Sequence, residues 1–310
     1  MMLIDTPFRK SLLAAAVISV LSVPTAHALT IDAQVDYTLD GNPITTTHSD
    51  TASSGSVDVL AGSSSPTSNI FYHTYGSDSG NFGSRVSGNG NYDITGTFTY
   101  SDTIVNNSGN DQSYAFDFTV IPGELTVSGI PGSGGYALAS YNIDVLVNGA
   151  SVWDSSATVS YFDGDASPSF SDTGSNSLIG TFSSSATFGQ YFWNTFNDNA
   201  DLGVFGDGDS FDFEYILTAH AEGDMVDGTN CFDGFDGTEG FGGGQGCGSM
   251  ARSGDPFFFN TGPNTPNSSL ITSTIVNTGP SNDVPEPASI ALMGIGLVGF
   301  AAASRRRKKK

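Results

Sequence analysis

The densest chemistry in the chain lies between residues 223 and 256, where Gly and acidic residues alternate at short spacing. Asp233, Asp236 and Glu239 stand three positions apart, with Asp224 and Asp227 upstream and Gly242-Gly243-Gly244 downstream. A hard cation takes six to eight oxygen ligands, and flexible Gly lets backbone carbonyls join the carboxylates. Asp233, Asp236 and Glu239 are therefore the candidate Ca²⁺ ligands, and no other cofactor is implied. Asp163-Gly164-Asp165 and Asp207-Gly208-Asp209 are lesser candidates. Asn197, Asn199 and Asp201 begin like an EF-hand loop, but Leu202 stands where that loop requires Gly. Asp-Gly pairs also build ordinary turns, which is the competing reading of every one of these sites.

The same segment holds the chain's two cysteines, Cys231 and Cys247. An even count in an exported chain suggests a disulfide. Closing a loop of about 15 residues is worth roughly 3 kcal/mol in the chain-entropy model. Two cysteines alone make a poor zinc site. Catalytic signatures are absent from the sequence: there is no Gly-x-Ser-x-Gly, no His-Glu-x-x-His and no phosphate loop. Carboxylate pairs arise by chance in so acidic a chain, which leaves a glycosidase open. The expectation is a protein that is not an enzyme.

Strands must position whatever these residues do. Apolar residues make up 38% of the 310, with 22 Phe and 11 Tyr, enough to build a core, and 39 Gly imply many turns. Ile31, Ala33, Val35, Tyr37 and Leu39 alternate with polar residues, and Asp40-Gly41-Asn42-Pro43 then turns the chain. Tyr92 to Tyr100, Tyr114 to Val120, Tyr141 to Val147 and Phe211 to Ala219 repeat the pattern. Asn148-Gly149 is a type I′ hairpin signal, and Val152 and Trp153 begin the return. One wet and one dry face per strand means antiparallel sheets. The expected fold is all-β: an antiparallel, jelly-roll-like β-sandwich of about ten strands spanning 29–279 and including the acidic Gly-rich disulfide loop 223–256.

Charge is unevenly spread. All but two of the 32 acidic residues, Asp5 and Glu286, fall between positions 29 and 283, where Arg85 and Arg252 are the only Lys or Arg. Such a surface excludes nucleic acid and anionic lipid as partners. The cations gather at the two ends. Residues 1–28 read as a signal peptide: Arg9 and Lys10, an apolar stretch from Ser11 to Val23, and the small residues Ala26 and Ala28 around a cleavage site. Residues 280–310 have three parts in order: Val284-Pro285-Glu286-Pro287, an uncharged stretch over 288–303, and Arg305, Arg306, Arg307, Lys308, Lys309 and Lys310. The middle part, about 24 Å long as a helix, is expected to be a single transmembrane helix, with the basic tail on the cytoplasmic side.

This three-part end resembles the PEP-CTERM proteins. The resemblance covers the last 27 or so residues and leaves the fold between the signals open. It implies that an exosortase recognises Pro285, Glu286 and Pro287, whose extended backbone suits a protease cleft. It further implies export through the inner membrane, transient anchoring there, and a final place at the cell surface or outside the cell. The leading expectation is a structural or interaction component of the envelope or of an exopolysaccharide (biofilm) matrix. A carbohydrate-binding module using Trp153, Tyr191, Phe192 and Trp193 is the second, and a matrix-degrading hydrolase the third.

The cysteine reading has a direct check. A thiol reagent applied to the native exported protein labels neither Cys231 nor Cys247 without reductant and both after reduction. Ready labelling of both without reductant contradicts the disulfide.

Overall fold

Alternating residues can bury one face only if a second layer covers it, and the chain supplies that layer from its own strands. A computed structural model describes residues 29–42, 44–78, 80–225, 248–254 and 271–275, and within them every helix or strand is a strand. In chain order these are β1 (Thr30–Leu39), β2 (Thr46–Ala52), β3 (Ser56–Ser64), β4 (Asn69–Ser77), β5 (Phe82–Asn89), β6 (Asn91–Val105), β7 (Gln112–Val120), β8 (Gly123–Ser128) and β9 (Tyr136–Val147). They continue with β10 (Ala150–Phe162), β11 (Ser169–Asp172), β12 (Gly180–Ser184), β13 (Phe188–Trp193), β14 (Phe196–Phe205), β15 (Ser210–Asp224), β16 (Gly248–Gly254) and β17 (Ile271–Ile275).

Two seven-stranded antiparallel sheets result, ordered β11-β10-β9-β15-β6-β1-β2 and β12-β13-β8-β16-β5-β4-β3. They pack face to face as a sandwich, with β1 over β4, β6 over β5, β15 over β16 and β9 over β8. A three-stranded sheet, β14-β7-β17, continues the second layer. Its Tyr114, Phe116 and Phe118 meet Phe211, Phe213 and Trp153 of the first sheet.

The sandwich expected from the alternation is the one observed, with seventeen strands among the described residues where about ten were expected. The added strands carry little apolar alternation. β2 reads TTHSDTA, β5 FGSRVSGN and β16 GSMARSG. β2 is an exposed edge and needs no buried face. β5 and β16 are central, and their small residues answer large ones opposite. A Cβ on Gly76 of β4 would lie 1.8 Å from the Phe98 ring, and one on Gly88 of β5 2.4 Å from Tyr92. Aromatic rings of the first sheet thus seat directly on glycine backbone of the second. The chain crosses between the layers from β5 to β6 through the single residue Gly90, at φ +84°. A Cβ there would stand 2.2 Å from the Thr67 carbonyl oxygen, so the crossing needs Gly for both space and conformation.

Turn chemistry follows the sequence. Asn148 and Gly149 have φ of 51° and 75°, and Asp40 and Gly41 have 54° and 63°, both pairs left-handed as type I′ requires. A bulge at Val152 shifts the β9–β10 register between Ser151 and Trp153. It leaves Val152 exposed and turns Trp153 inward.

Replacing Gly76 with Ala forces the fully buried Phe98 ring to move. The expected loss of stability is about 1–3 kcal/mol, read as a lower urea midpoint at unchanged slope. Phe98→Leu in the same chain should return part of it.

Candidate functional site

Most residues singled out by chemistry lie outside the described part of the chain: Ala26 and Ala28, Cys231 and Cys247, Asp233, Asp236 and Glu239, the Val284–Pro287 motif, the 288–303 stretch and the basic tail 305–310. Pro43 of the first turn does too. Among the described residues no helix is long and apolar enough to cross a membrane.

The lesser cation candidates are described, and three of their four carboxylates are occupied by the fold. Asp163 accepts the Gly132 amide at 2.8 Å and the Gly134 amide at 2.7 Å. Those backbone bonds hold its carboxyl below the ordinary Asp range. Asp207 accepts the Gly109 amide at 2.8 Å, and Asp209 the Gly206 amide at 2.9 Å. Asn197, Asn199 and Asp201 lie along β14 rather than in a loop, and Leu202 is buried. Asp40 is saturated in a different way: one of its oxygens accepts the hydroxyls of Ser68, Ser65 and Thr67. These bonds, Ser68 first, lower its pKa. Among the described residues no three His, Cys, Asp or Glu side chains converge as a metal site.

The aromatic residues considered for sugar binding are corrected by the structure. Trp193 is 0% exposed, and Trp153 and Tyr191 are buried; only Phe192, at 37%, faces solvent. Their polar tips are used internally. Trp153 Nε1 donates to Asp198, Trp193 Nε1 to the Ile121 carbonyl, and the Tyr191 hydroxyl to the Leu178 carbonyl. Large aromatics on strands went to the core because covering two wide sheets takes that much apolar area.

The arrangement that sequence reading missed lies on the outward face of β4, β5, β16 and β8. Arg85 and Arg252 sit directly opposite each other across β5 and β16. They are the only Lys or Arg between residues 29 and 283, and 167 positions of sequence hide their adjacency. Arg85 lies over the Phe71 ring, 5.2 Å from its centroid. Arg252 Nη2 is 3.9 Å from Glu124 Oε2, and that same oxygen accepts the Gln190 amide at 3.2 Å. Burial, and then the neighbouring Arg252, push the Arg85 pKa down.

His73 lies beside this pair on β4, opposite Arg85. It is buried, and its Nε2–H donates to Asp58 at 2.8 Å. Burial lowers its pKa more than Asp58 raises it. A histidine depressed in the folded state stabilises the fold fully above its unfolded value, near 6.5. That contribution disappears as pH falls through the folded value. Urea unfolding should therefore show stability decreasing as pH drops below about 6.5, and His73→Gln should flatten that decline. An unchanged profile in the variant excludes His73 as its source.

No curated protein matches the chain. Residues 283–307 match the PEP-CTERM protein-sorting motif, which marks the chain as an exported protein addressed to an exosortase.

Proposed function

We propose that the β-sandwich is the non-catalytic cargo of this sorting signal, a structural or interaction component of the cell envelope or of an exopolysaccharide (biofilm) matrix. The observation that carries this reading is the sorting motif at 283–307 joined to an acidic, antiparallel sandwich. In this account residues 1–28 direct export, and the 288–303 helix and basic tail hold the chain in the inner membrane. Exosortase then acts near Pro285-Glu286-Pro287, and the product passes to the cell surface or outside the cell. A Cys231–Cys247 disulfide restrains the acidic Gly-rich segment in the oxidising compartment. Support for a non-catalytic role comes from the carboxylates of Asp40, Asp163, Asp207 and Asp209, which brace loops. The carbohydrate-binding alternative loses three of its four aromatic candidates to the core, and no observation favours a hydrolase over it.

The test is the intact mass of the exported protein from hosts with and without an exosortase. The expected product begins at Leu29 and lacks the 288–303 stretch and basic tail only where the enzyme is present. A mass ending at Lys310 in both hosts overturns the sorting step and, with it, the matrix role.

A further inference from the structure

We infer that one end of the outward face of the first sheet, around Phe162, Tyr136 and the carboxylates of Glu222, Asp224 and Asp93, binds a saccharide chain carrying free amino groups. The register builds the place. Asn91, Asp224, Tyr136 and Phe162 are successive partners across β6, β15, β9 and β10, a row about 14 Å long at 4.7–4.9 Å per strand. Asp93 and Glu222 are partners in the next row on the same face. The alternate residues Tyr92, Ala221, Ala137 and Tyr161 are buried, so both rows look outward.

Phe162 is 48% exposed, and its ring stacks beside that of Tyr136, with centroids 5.8 Å and planes 20° apart. Such a ring offers a surface to the C–H side of a sugar and to an ammonium group. The Tyr136 hydroxyl donates to Glu222. Burial, then that bond, then the charges of Glu222, Asp224 and Asp93 raise the Tyr136 pKa, so all three carboxylates gather about one hydroxyl. Asn91 Nδ2 donates to Asp224 at 3.1 Å, and His220 Nε2 to Asp93 at 3.0 Å. An ionised carboxylate accepts about four hydrogen bonds, which leaves each of them capacity for a ligand's N–H or O–H.

Charge selects the ligand. The strands of the first sheet carry no Lys or Arg, since Arg85 and Arg252 stand on β5 and β16 of the second. Three carboxylates on neighbouring strands repel a uronate or sulfated glycan and attract an ammonium. Shape favours a saccharide over a basic peptide. An extended peptide adds to a free sheet edge, and a helical one enters a groove. β6, β15, β9 and β10 are each paired on both sides, so they present side chains rather than free backbone amides. The inference deepens the matrix reading, on which it rests, by naming the chemistry of the partner. Binding is measured on the exported protein and sorting by its intact mass, so either can fail while the other stands.

Calorimetric titration of the exported protein with a glucosamine trimer, its amines protonated, tests the site. At about 0.15 M salt the Debye length is about 8 Å, which screens the distant acidic surface. The wild type binds the trimer. D93N/D224N weakens binding roughly tenfold or more, and F162A roughly threefold or more. The N-acetylated trimer, with the same rings and no charge, binds roughly tenfold more weakly or worse. Should F162A lose the circular dichroism of the fold, F162L replaces it; this variant keeps the bulk, loses the ring and should still weaken binding. No binding of the glucosamine trimer, or equal binding of the acetylated one, overturns the site. So does a linear polyamine or Lys peptide bound as tightly as the trimer and unaffected by F162A.

Discussion

The structure depends on satisfying many carboxylates almost without cations. Ion pairs are few because the sequence provides two arginines between residues 29 and 283. The donors are instead hydroxyls and backbone amides. Asp36 and Asp32 of β1 accept from Thr47 and Thr51, their direct partners on β2. Asp212 of β15 accepts from Thr103, its partner on β6. In the loops, Asp78 takes the Gly55 amide and Asp154 the Ser175 amide. Hydrogen bonds to a charged acceptor are stronger than neutral ones, and cross-strand pairs of this kind specify register. The abundance of Ser, Thr and Gly is then part of the electrostatics: each acid needs a nearby hydroxyl or an exposed amide. Where the donors converge, as on Asp40 and Asp163, the carboxyl is held below its ordinary range. Such groups stabilise the fold above the unfolded carboxylate pKa and lose that contribution as pH falls through the folded one.

A second asymmetry lies inside. Around β4 and β5 the first sheet supplies aromatic rings and the second supplies glycine backbone to receive them, as Phe98 meets Gly76 and Tyr92 meets Gly88. The layers are also joined by polar contacts. The fully buried Tyr92 hydroxyl bonds Ser249 of β16 at 2.7 Å, and Ser249 Oγ donates to the Glu222 carbonyl. Burial drives the Tyr92 pKa far above its usual value, so the ring stays neutral. An uneven core of this kind tolerates little change on the glycine side, because backbone cannot move aside as a side chain can.

This division of labour explains what could be read from the sequence. Strands whose buried face carries aromatics and β-branched residues, such as β6, β7, β9 and β15, announce themselves by alternation. Asn148-Gly149 announced its hairpin because two successive left-handed residues admit few sequences. β5 and β16 did not, since their inward residues include Ser84, Gly88, Ser249 and Ala251, which read as turn or loop. The aromatics of β13 misled for the converse reason: Tyr191 and Trp193 look like a binding platform until an opposing sheet is placed over them. For the candidate site, composition revealed that Arg85 and Arg252 were exceptional, but only the β5–β16 pairing reveals that they are neighbours.

That pairing differs from the other like-charge pairs of the molecule. Carboxylates also stand directly opposite one another, Asp154 against Asp144 and Glu222 against Asp93, and donors serve them there: Ser175 and Ser151 for the first pair, Tyr136 and His220 for the second. At the centre of its second sheet the fold brings its only two cations of the 29–283 region together and leaves Nε of each unused. Placing one opposite the edge-strand Asp58, at the outward position of Tyr75, would have relieved the local repulsion at no cost to the core, because outward positions do not pack between the sheets. A β-sheet fixes the spacing of opposite residues at about 4.5–5.5 Å, close enough for the two guanidinium groups to repel each other. The position of the pair, rather than the number of cations, is what separates this face from an ordinary solvated sheet surface.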